Sequence, residues 1–106
     1  MTEATATSKE SFFKLPRGSQ LLVAYALIND KWELQLMKSD RDMLGLVNVG
    51  WLVANPSSTH GIVNCNFPDD IWDGFESIET NILDSISEDD MARYGQRKGK
   101  EYPWLW

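Results

Sequence analysis

The chain has 106 residues, 42% of them hydrophobic, and a net charge of −6, which fits one globular domain and leaves no room for two. The longest apolar run, Leu21 to Ile28, is far shorter than the roughly 20 residues of a membrane-spanning helix. The single cysteine excludes an internal disulfide, and the acidic balance argues against direct binding to nucleic acid or to an anionic membrane. Since Met1 to Gln20 also lacks the pattern of a secretory signal, we expect a cytoplasmic protein.

The first third of the chain predicts an arm followed by a hairpin. Residues 1–19 show no regular apolar spacing and are interpreted as a flexible N-terminal arm. In residues 20–28 the odd-numbered and the even-numbered positions are both mostly apolar, which is typical of a strand buried on both faces. Asn29 and Asp30 tolerate positive φ and predict a two-residue turn, and the alternation over residues 31–38 predicts the second strand. Its inward set is Trp32, Leu34 and Leu36.

Two more strands and one helix complete the predicted domain. Residues 44–54 and 61–67 carry apolar side chains at alternating positions and predict a third and a fourth strand. Residues 70–86 carry apolar side chains three or four positions apart and predict one amphipathic helix, capped by Asp69 or Asp70. The expected fold class is therefore α+β: a four-stranded, mostly antiparallel sheet in the order β-β-β-β-α, with the helix packed across one face.

Charge is distributed unevenly along the chain. Residues 69–90 include nine acidic residues and no basic one, whereas residues 91–106 include four basic residues and one acidic residue. An acidic helix face is most often simply solvated, but exposed helices ordinarily interleave the two signs, so this segregation makes a specialised surface the alternative. It also suggests a single α+β domain over residues 20–90, followed by a basic, aromatic C-terminal tail over residues 91–106.

The acidic helix and the aromatic tail are the candidate binding features. Trp, Tyr and Arg are common anchors at protein interfaces, and the tail contains all three. An acidic helix face complements a basic partner surface and speeds association with it. The sequence leaves open whether the tail docks on its own domain or on a partner. The expected partner-binding residues are Asp73, Glu76, Glu79, Arg97, Lys98, Tyr102, Trp104 and Trp106.

These features favour a small acidic protein that binds another protein and has no catalytic site, cofactor or metal. One version is an inhibitor of the immunity or anti-defence type, whose acidic helix covers a basic, nucleic-acid-handling enzyme. The other version is an accessory subunit of a larger enzyme that docks through the tail. The sequence leaves the identity of the partner and the oligomeric state open.

Two alternatives come from other functional classes. Cys65 and His60 are the only thiol and imidazole, and together they could form the nucleophile and base of a small cysteine-dependent enzyme. However, Cys65 alternates with apolar positions of its predicted strand, which favours a buried thiol in the core. The triplet Arg93-Tyr94-Gly95 resembles the X-Tyr-Gly site that radical enzymes excise from some ribosomal peptide precursors. The resemblance covers this triplet alone.

Overall fold

The helices and strands differ in number and kind from those expected. The computed structural model describes residues 9–56 and 61–102, which contain six helices and three strands. None of these helices is both long and apolar enough to cross a membrane. The fold is α+β with a three-stranded antiparallel sheet, so the prediction of a four-stranded sheet with one helix is wrong. The elements are α1 (Lys9–Phe13), α2 (Arg17–Ile28), β1 (Glu33–Met37), α3 (Arg41–Asn48), β2 (Val53–Pro56), β3 (Ile62–Asn66), α4 (Asp69–Ser77), α5 (Glu79–Asp84) and α6 (Glu88–Glu101).

The largest correction concerns residues 20–28, which lie in helix α2 rather than in a strand. A continuous apolar run fits a fully buried helix as well as a buried strand, because neither has a polar face. The predicted hairpin turn is in fact the end of this helix. Asp30 has a φ of 52°, and the Lys31 N–H donates to the Ala26 carbonyl at 2.8 Å. This is the Schellman arrangement, in which a left-handed residue closes a helix.

The predicted third strand is divided between α3 and β2. The Asp40 side chain accepts a hydrogen bond of 3.1 Å from the Met43 N–H and so caps the N-terminus of α3. Met43 and Leu46, three positions apart, face the core. A Cβ at Gly45 would overlap the hydroxyl of Ser19, so this glycine allows α3 to lie close against α2.

Strand β3 lies at the centre of the sheet, whose order is β1-β3-β2. The strands predicted within residues 31–38 and 61–67 are confirmed as β1 and β3. Their register pairs Leu34 with Cys65, and both side chains are buried. The opposite face includes the exposed polar side chains of Glu33, Gln35 and Asn64. Trp32, which was predicted to face the core, is instead 47% exposed.

The single helix predicted over residues 70–86 is interrupted at Ile78, where φ is −115° and ψ is 14°. The chain therefore forms two short helices, α4 and α5. The position before the first turn of α4 is taken by Pro68, so Asp69 and Asp70, both predicted as possible caps, lie inside that turn. Their negative charge there favours the helix, because the N-terminal end of the backbone carries partial positive charge.

The two ends of the chain are helical where the structure describes them, in contrast to the flexible arm and tail expected from the sequence. Phe12 of α1 is fully buried, and α6 runs through most of the expected tail. The Ser87 side chain accepts a hydrogen bond from the Asp90 N–H and caps α6. Residues 1–8 of the predicted arm and residues 103–106 of the predicted tail lie outside the described part of the chain.

Candidate functional site

The acidic residues expected to bind a partner lie on α4 and α5. Asp73 and Glu76 are exposed, and Glu79 is half-buried. Within residues 9–56 and 61–102, the six carboxylates of these two helices form no ion pair. We call these six residues the acidic surface: Asp69, Asp70, Asp73, Glu76, Glu79 and Asp84.

Two of the expected tail residues lie elsewhere, in a buried cluster. The side chain of Lys98 is only 3% exposed, and its Nζ lies 2.6 Å from Asp40 Oδ2 and 3.0 Å from Asp42 Oδ2. The Tyr102 hydroxyl donates to Asp40 Oδ2 at 2.8 Å and accepts from the Met37 N–H at 2.9 Å. Lys98 and Tyr102 therefore hold β1, the N-terminus of α3 and the end of α6 together.

A second tyrosine completes this group. The Tyr94 hydroxyl donates to Asp42 Oδ2 at 3.0 Å, and the ring is almost fully buried. Lys98 is thus paired with two aspartates, and both aspartates also accept a hydrogen bond from a tyrosine hydroxyl. We call these five residues the lysine cluster: Asp40, Asp42, Tyr94, Lys98 and Tyr102.

Burial and hydrogen bonding act in opposite directions on the charges of the lysine cluster. Burial raises the pKa of Asp40, but hydrogen bonds from Lys98, Tyr102 and a backbone N–H outweigh it and place the pKa below its ordinary value. Burial lowers the pKa of Lys98, but its hydrogen bonds to the two aspartates outweigh it and place the pKa above its ordinary value. Both groups therefore stay ionised around neutral pH.

The tyrosines of the cluster keep their protons. Burial raises the pKa of Tyr94, and the neighbouring charge of Asp42 raises it further. Burial also raises the pKa of Tyr102, with a contribution in the same direction from its hydrogen bond to Asp40. The lysine cluster is thus a fixed set of hydrogen-bond donors and acceptors that is suited to holding the fold. Its four groups with shifted pKa values, Asp40, Tyr94, Lys98 and Tyr102, are not placed to exchange a proton near pH 7.

A cleft of about 310 Å³ opens beside the lysine cluster. Arg41, Arg97 and Glu101 line it together with members of the cluster. Since Asp40 and Lys98 are already paired with each other, the cleft offers charged walls rather than a free acid or base. In the described parts of the chain, no group of three or more His, Cys, Asp or Glu side chains is arranged to hold a metal ion.

The structure does not bring the acidic surface and the predicted tail residues together. Lys98 pairs with aspartates at the start of α3, and not with the carboxylates of α4 or α5. The side chain of Arg97 is 58% exposed and lies 3.8 Å from Asp42 Oδ2. Trp104 and Trp106 lie outside the described residues. Of the predicted partner-binding side chains that the structure describes, Lys98 and Tyr102 are buried, so the other four remain available for contact.

Sequence reasoning missed both aspartates of the lysine cluster. One local signal was present, because an aspartate three positions before Met43 is a typical helix cap. A second signal was the spacing of Met91, Tyr94, Lys98 and Tyr102, which places these four residues on one face of α6 and its C-terminal end. Because this row includes Lys98, the face was interpreted as polar, although the lysine is paired with two aspartates.

Cys65 and Tyr94, which belong to the two alternative functions, are both buried. Cys65 is 1% exposed and its Sγ lies 3.4 Å from the Met43 sulfur. Burial, together with the charge of Asp40, raises the pKa of Cys65 to about 11, so the thiol is protonated at neutral pH. His60 lies outside the described residues. In the triplet that resembles a precursor cleavage site, Tyr94 lies inside α6 with its ring enclosed.

Comparison of the chain with protein-family models, with curated protein sequences and with solved structures gives no match. The functional conclusion therefore rests on the side chains themselves and on which charged groups form no ion pair within the part of the chain that the structure describes.

Proposed function

We propose that the protein binds another protein through the acidic surface of α4 and α5. The observation that supports this proposal is the absence of any cation paired with these six carboxylates in the described residues. Two cations of the described residues pair with other acids: Lys98 pairs with Asp40 and Asp42, and Arg17 lies 3.3 Å from Asp90. The negative charge of the acidic surface is therefore available to attract a basic partner.

The partner class follows from the geometry of α4. Asp69, Asp73 and Glu76 are separated by four and three positions, so they lie along one face of the helix. A row of carboxylates without intervening cations complements a surface that is rich in Lys and Arg, such as that of a nucleic-acid-handling enzyme. We infer that the protein acts in the cytoplasm as an inhibitor or accessory subunit of such an enzyme.

The test compares two triple variants that change the net charge equally. Asp73→Asn/Glu76→Gln/Glu79→Gln neutralises half of the acidic surface. The matched control, Glu10→Gln/Asp30→Asn/Glu33→Gln, neutralises three exposed acids on other elements. Asparagine is tolerated at position 30, where φ is positive. Both variants keep every residue of the lysine cluster.

Wild type and both variants are immobilised and incubated with extract of the host cells, and the captured proteins are quantified by mass spectrometry. We expect a basic protein that is retained by the wild type and by the control variant and lost by the acidic-surface variant. Its capture weakens as salt rises, because salt screens charges at exposed surfaces. A partner retained equally by the acidic-surface variant contradicts the proposal, as does equal loss from both triple variants.

Association kinetics with the purified partner sharpen the test. Neutralising the acidic surface should slow association and flatten its salt dependence, because steering depends on long-range attraction. The midpoint of unfolding should stay unchanged, since these side chains form no ion pair among the described residues. An unchanged association rate at low salt contradicts the electrostatic role.

A further inference from the structure

A second cleft lies between α2 and α6 and has a volume of about 230 Å³. Three of the residues around it are arginines, one from α2 and two from α6, and one is an acid. In a chain of net charge −6, this cleft therefore has a local excess of positive charge. We call it the arginine cleft, and its lining residues are Arg17, Leu21, Asp90, Arg93, Tyr94 and Arg97.

The arginines approach the cleft from both helices. Arg93 and Arg97 are four positions apart on α6, so their side chains project from one face. Arg17 lies opposite, held by its hydrogen bond of 3.1 Å to Gln20 Oε1 and by the ion pair of 3.3 Å with Asp90. The one carboxylate at the cleft is thus already matched with one of the three guanidinium groups.

The other two guanidinium groups have little internal compensation. Arg93 forms no ion pair within residues 9–56 and 61–102. Arg97 stacks over the ring of Tyr94, with 5.2 Å from Cζ to the ring centre, and its ion pair with Asp42 is long at 3.8 Å. The same oxygen of Asp42 lies 3.0 Å from Lys98 Nζ and 3.0 Å from the Tyr94 hydroxyl, so Arg97 shares this carboxylate with two shorter contacts.

We propose that the arginine cleft binds the dianionic phosphate group of a small phosphate monoester. The lining of three arginines and one aspartate has two more positive than negative charges, which match the two negative charges of the ligand. Guanidinium also forms paired hydrogen bonds with phosphate oxygens. The volume is below the roughly 300 Å³ at which sites for drug-sized ligands begin, so the phosphate has room for only a small attached body. Leu21 gives that body an apolar contact. A polyanion such as nucleic acid is disfavoured, because the net charge of the whole chain repels it.

The test titrates phenyl phosphate into ¹⁵N-labelled protein at pH 8, where the phosphate is a dianion because its second pKa is about 6. We expect saturable shifts of the Nε–Hε signals of Arg93 and Arg97 and of the Leu21 amide, with a dissociation constant of about 1 mM or lower. Phenyl sulfate has the same shape with a single charge and should bind at least about tenfold more weakly. Absence of saturable shifts, or equal binding of the sulfate, overturns the proposal.

Two arginine variants with equal loss of charge provide the control. Arg93→Gln removes a side chain that forms no ion pair with the described residues and should weaken phenyl phosphate binding about tenfold or more. Arg41→Gln removes an exposed arginine beside the other cleft and should leave the affinity within about twofold. Equal loss of affinity in both variants means that only net charge matters and overturns the site. Neither variant alters the acidic surface, so this result is independent of the protein-binding proposal.

Discussion

Lys98 and Asp40 are 58 positions apart in sequence, yet Lys98 Nζ and Asp40 Oδ2 are separated by 2.6 Å inside the protein. Asp40 also caps α3, and Lys98 lies in the last turn of α6. One buried ion pair therefore connects the start of one helix with the end of another. Such a pair adds little net stability over an apolar pair, but removing one partner is costly because the other charge is left buried alone.

Removing the lysine should therefore destabilise the protein strongly. In Lys98→Met, Asp40 and Asp42 keep their positions but lose the cation between them, and the free energy of unfolding should fall by about 3–5 kcal/mol. Urea denaturation measures the change. Lys100→Met, at an exposed position two residues further along α6, is the control and should change stability by less than about 0.5 kcal/mol. A loss below about 1 kcal/mol in Lys98→Met contradicts the burial of the pair.

Removing the Tyr102 hydroxyl should destabilise the protein and expose the edge of β1. Tyr102→Phe removes the acceptor of the Met37 N–H and a donor to Asp40, at an estimated cost of about 1–3 kcal/mol. The Met37 N–H then has no protein partner at that position, so its hydrogen exchange should accelerate relative to the amides of β3. Unchanged protection of the Met37 amide would mean that Tyr102 does not hold the edge of β1.

Stability should depend on pH in a direction set by Asp40. Its pKa in the folded protein lies below its ordinary value of 3.8, so its stabilising contribution is complete above about pH 4 and is lost as the pH falls through the folded value. Asp40→Asn keeps a side chain that can cap α3 but cannot ionise. Unfolding midpoints in urea between pH 2 and pH 7 should therefore fall less steeply with acid in the variant. Parallel curves for the two proteins contradict this role.

The same reasoning applies at the alkaline end. The pKa of Lys98 lies above its ordinary value of 10.5, so its contribution is complete below about pH 10 and is lost as the pH rises through the folded value. Between these limits the ion pair is intact. Its contribution to the free energy of unfolding should therefore be flat across the neutral range.

Replacing either of two helical glycines with alanine should change the stability of the protein, in opposite directions at the two positions. A Cβ at Gly18 would overlap a carboxylate oxygen of Asp42, whereas a Cβ at Gly95 would meet no atom within 4 Å. Gly18→Ala displaces a side chain that Lys98 and Tyr94 hold, and should cost about 1–3 kcal/mol. Gly95→Ala should stabilise α6 by up to about 1 kcal/mol. Thermal unfolding of the two variants measures both signs, and a destabilised Gly95→Ala contradicts the open surroundings of that residue.

The sequence predicted β1 and β3 because their alternation is clean and one face of each is buried. It mispredicted α2 because that helix is enclosed on most sides, so apolar spacing carries no helical period there. It mispredicted α3 because the alternation of Val47, Val49 and Trp51 suggested a strand, although Gly45 weakened that pattern. The function of that glycine is visible only once α2 lies against it.

The acidic surface could be predicted because it depends on local composition, whereas the lysine cluster could not. The cluster requires Asp40 and Lys98 to meet across 58 positions, and nothing near either residue specifies the other. Lysine is also almost never buried without a partner, so a polar interpretation of position 98 was the natural one. Only the fold shows that its partner was present.

The position of β3 has a consequence for how the chain reaches its fold during synthesis. The two edge strands, β1 and β2, are made first and form their backbone ladders with β3 rather than with each other. A chain that ends at Pro56 thus contains two of the three strands and none of the sheet. Ile62–Asn66 supplies the partner for both ladders, so no part of this sheet can form before that strand has been made.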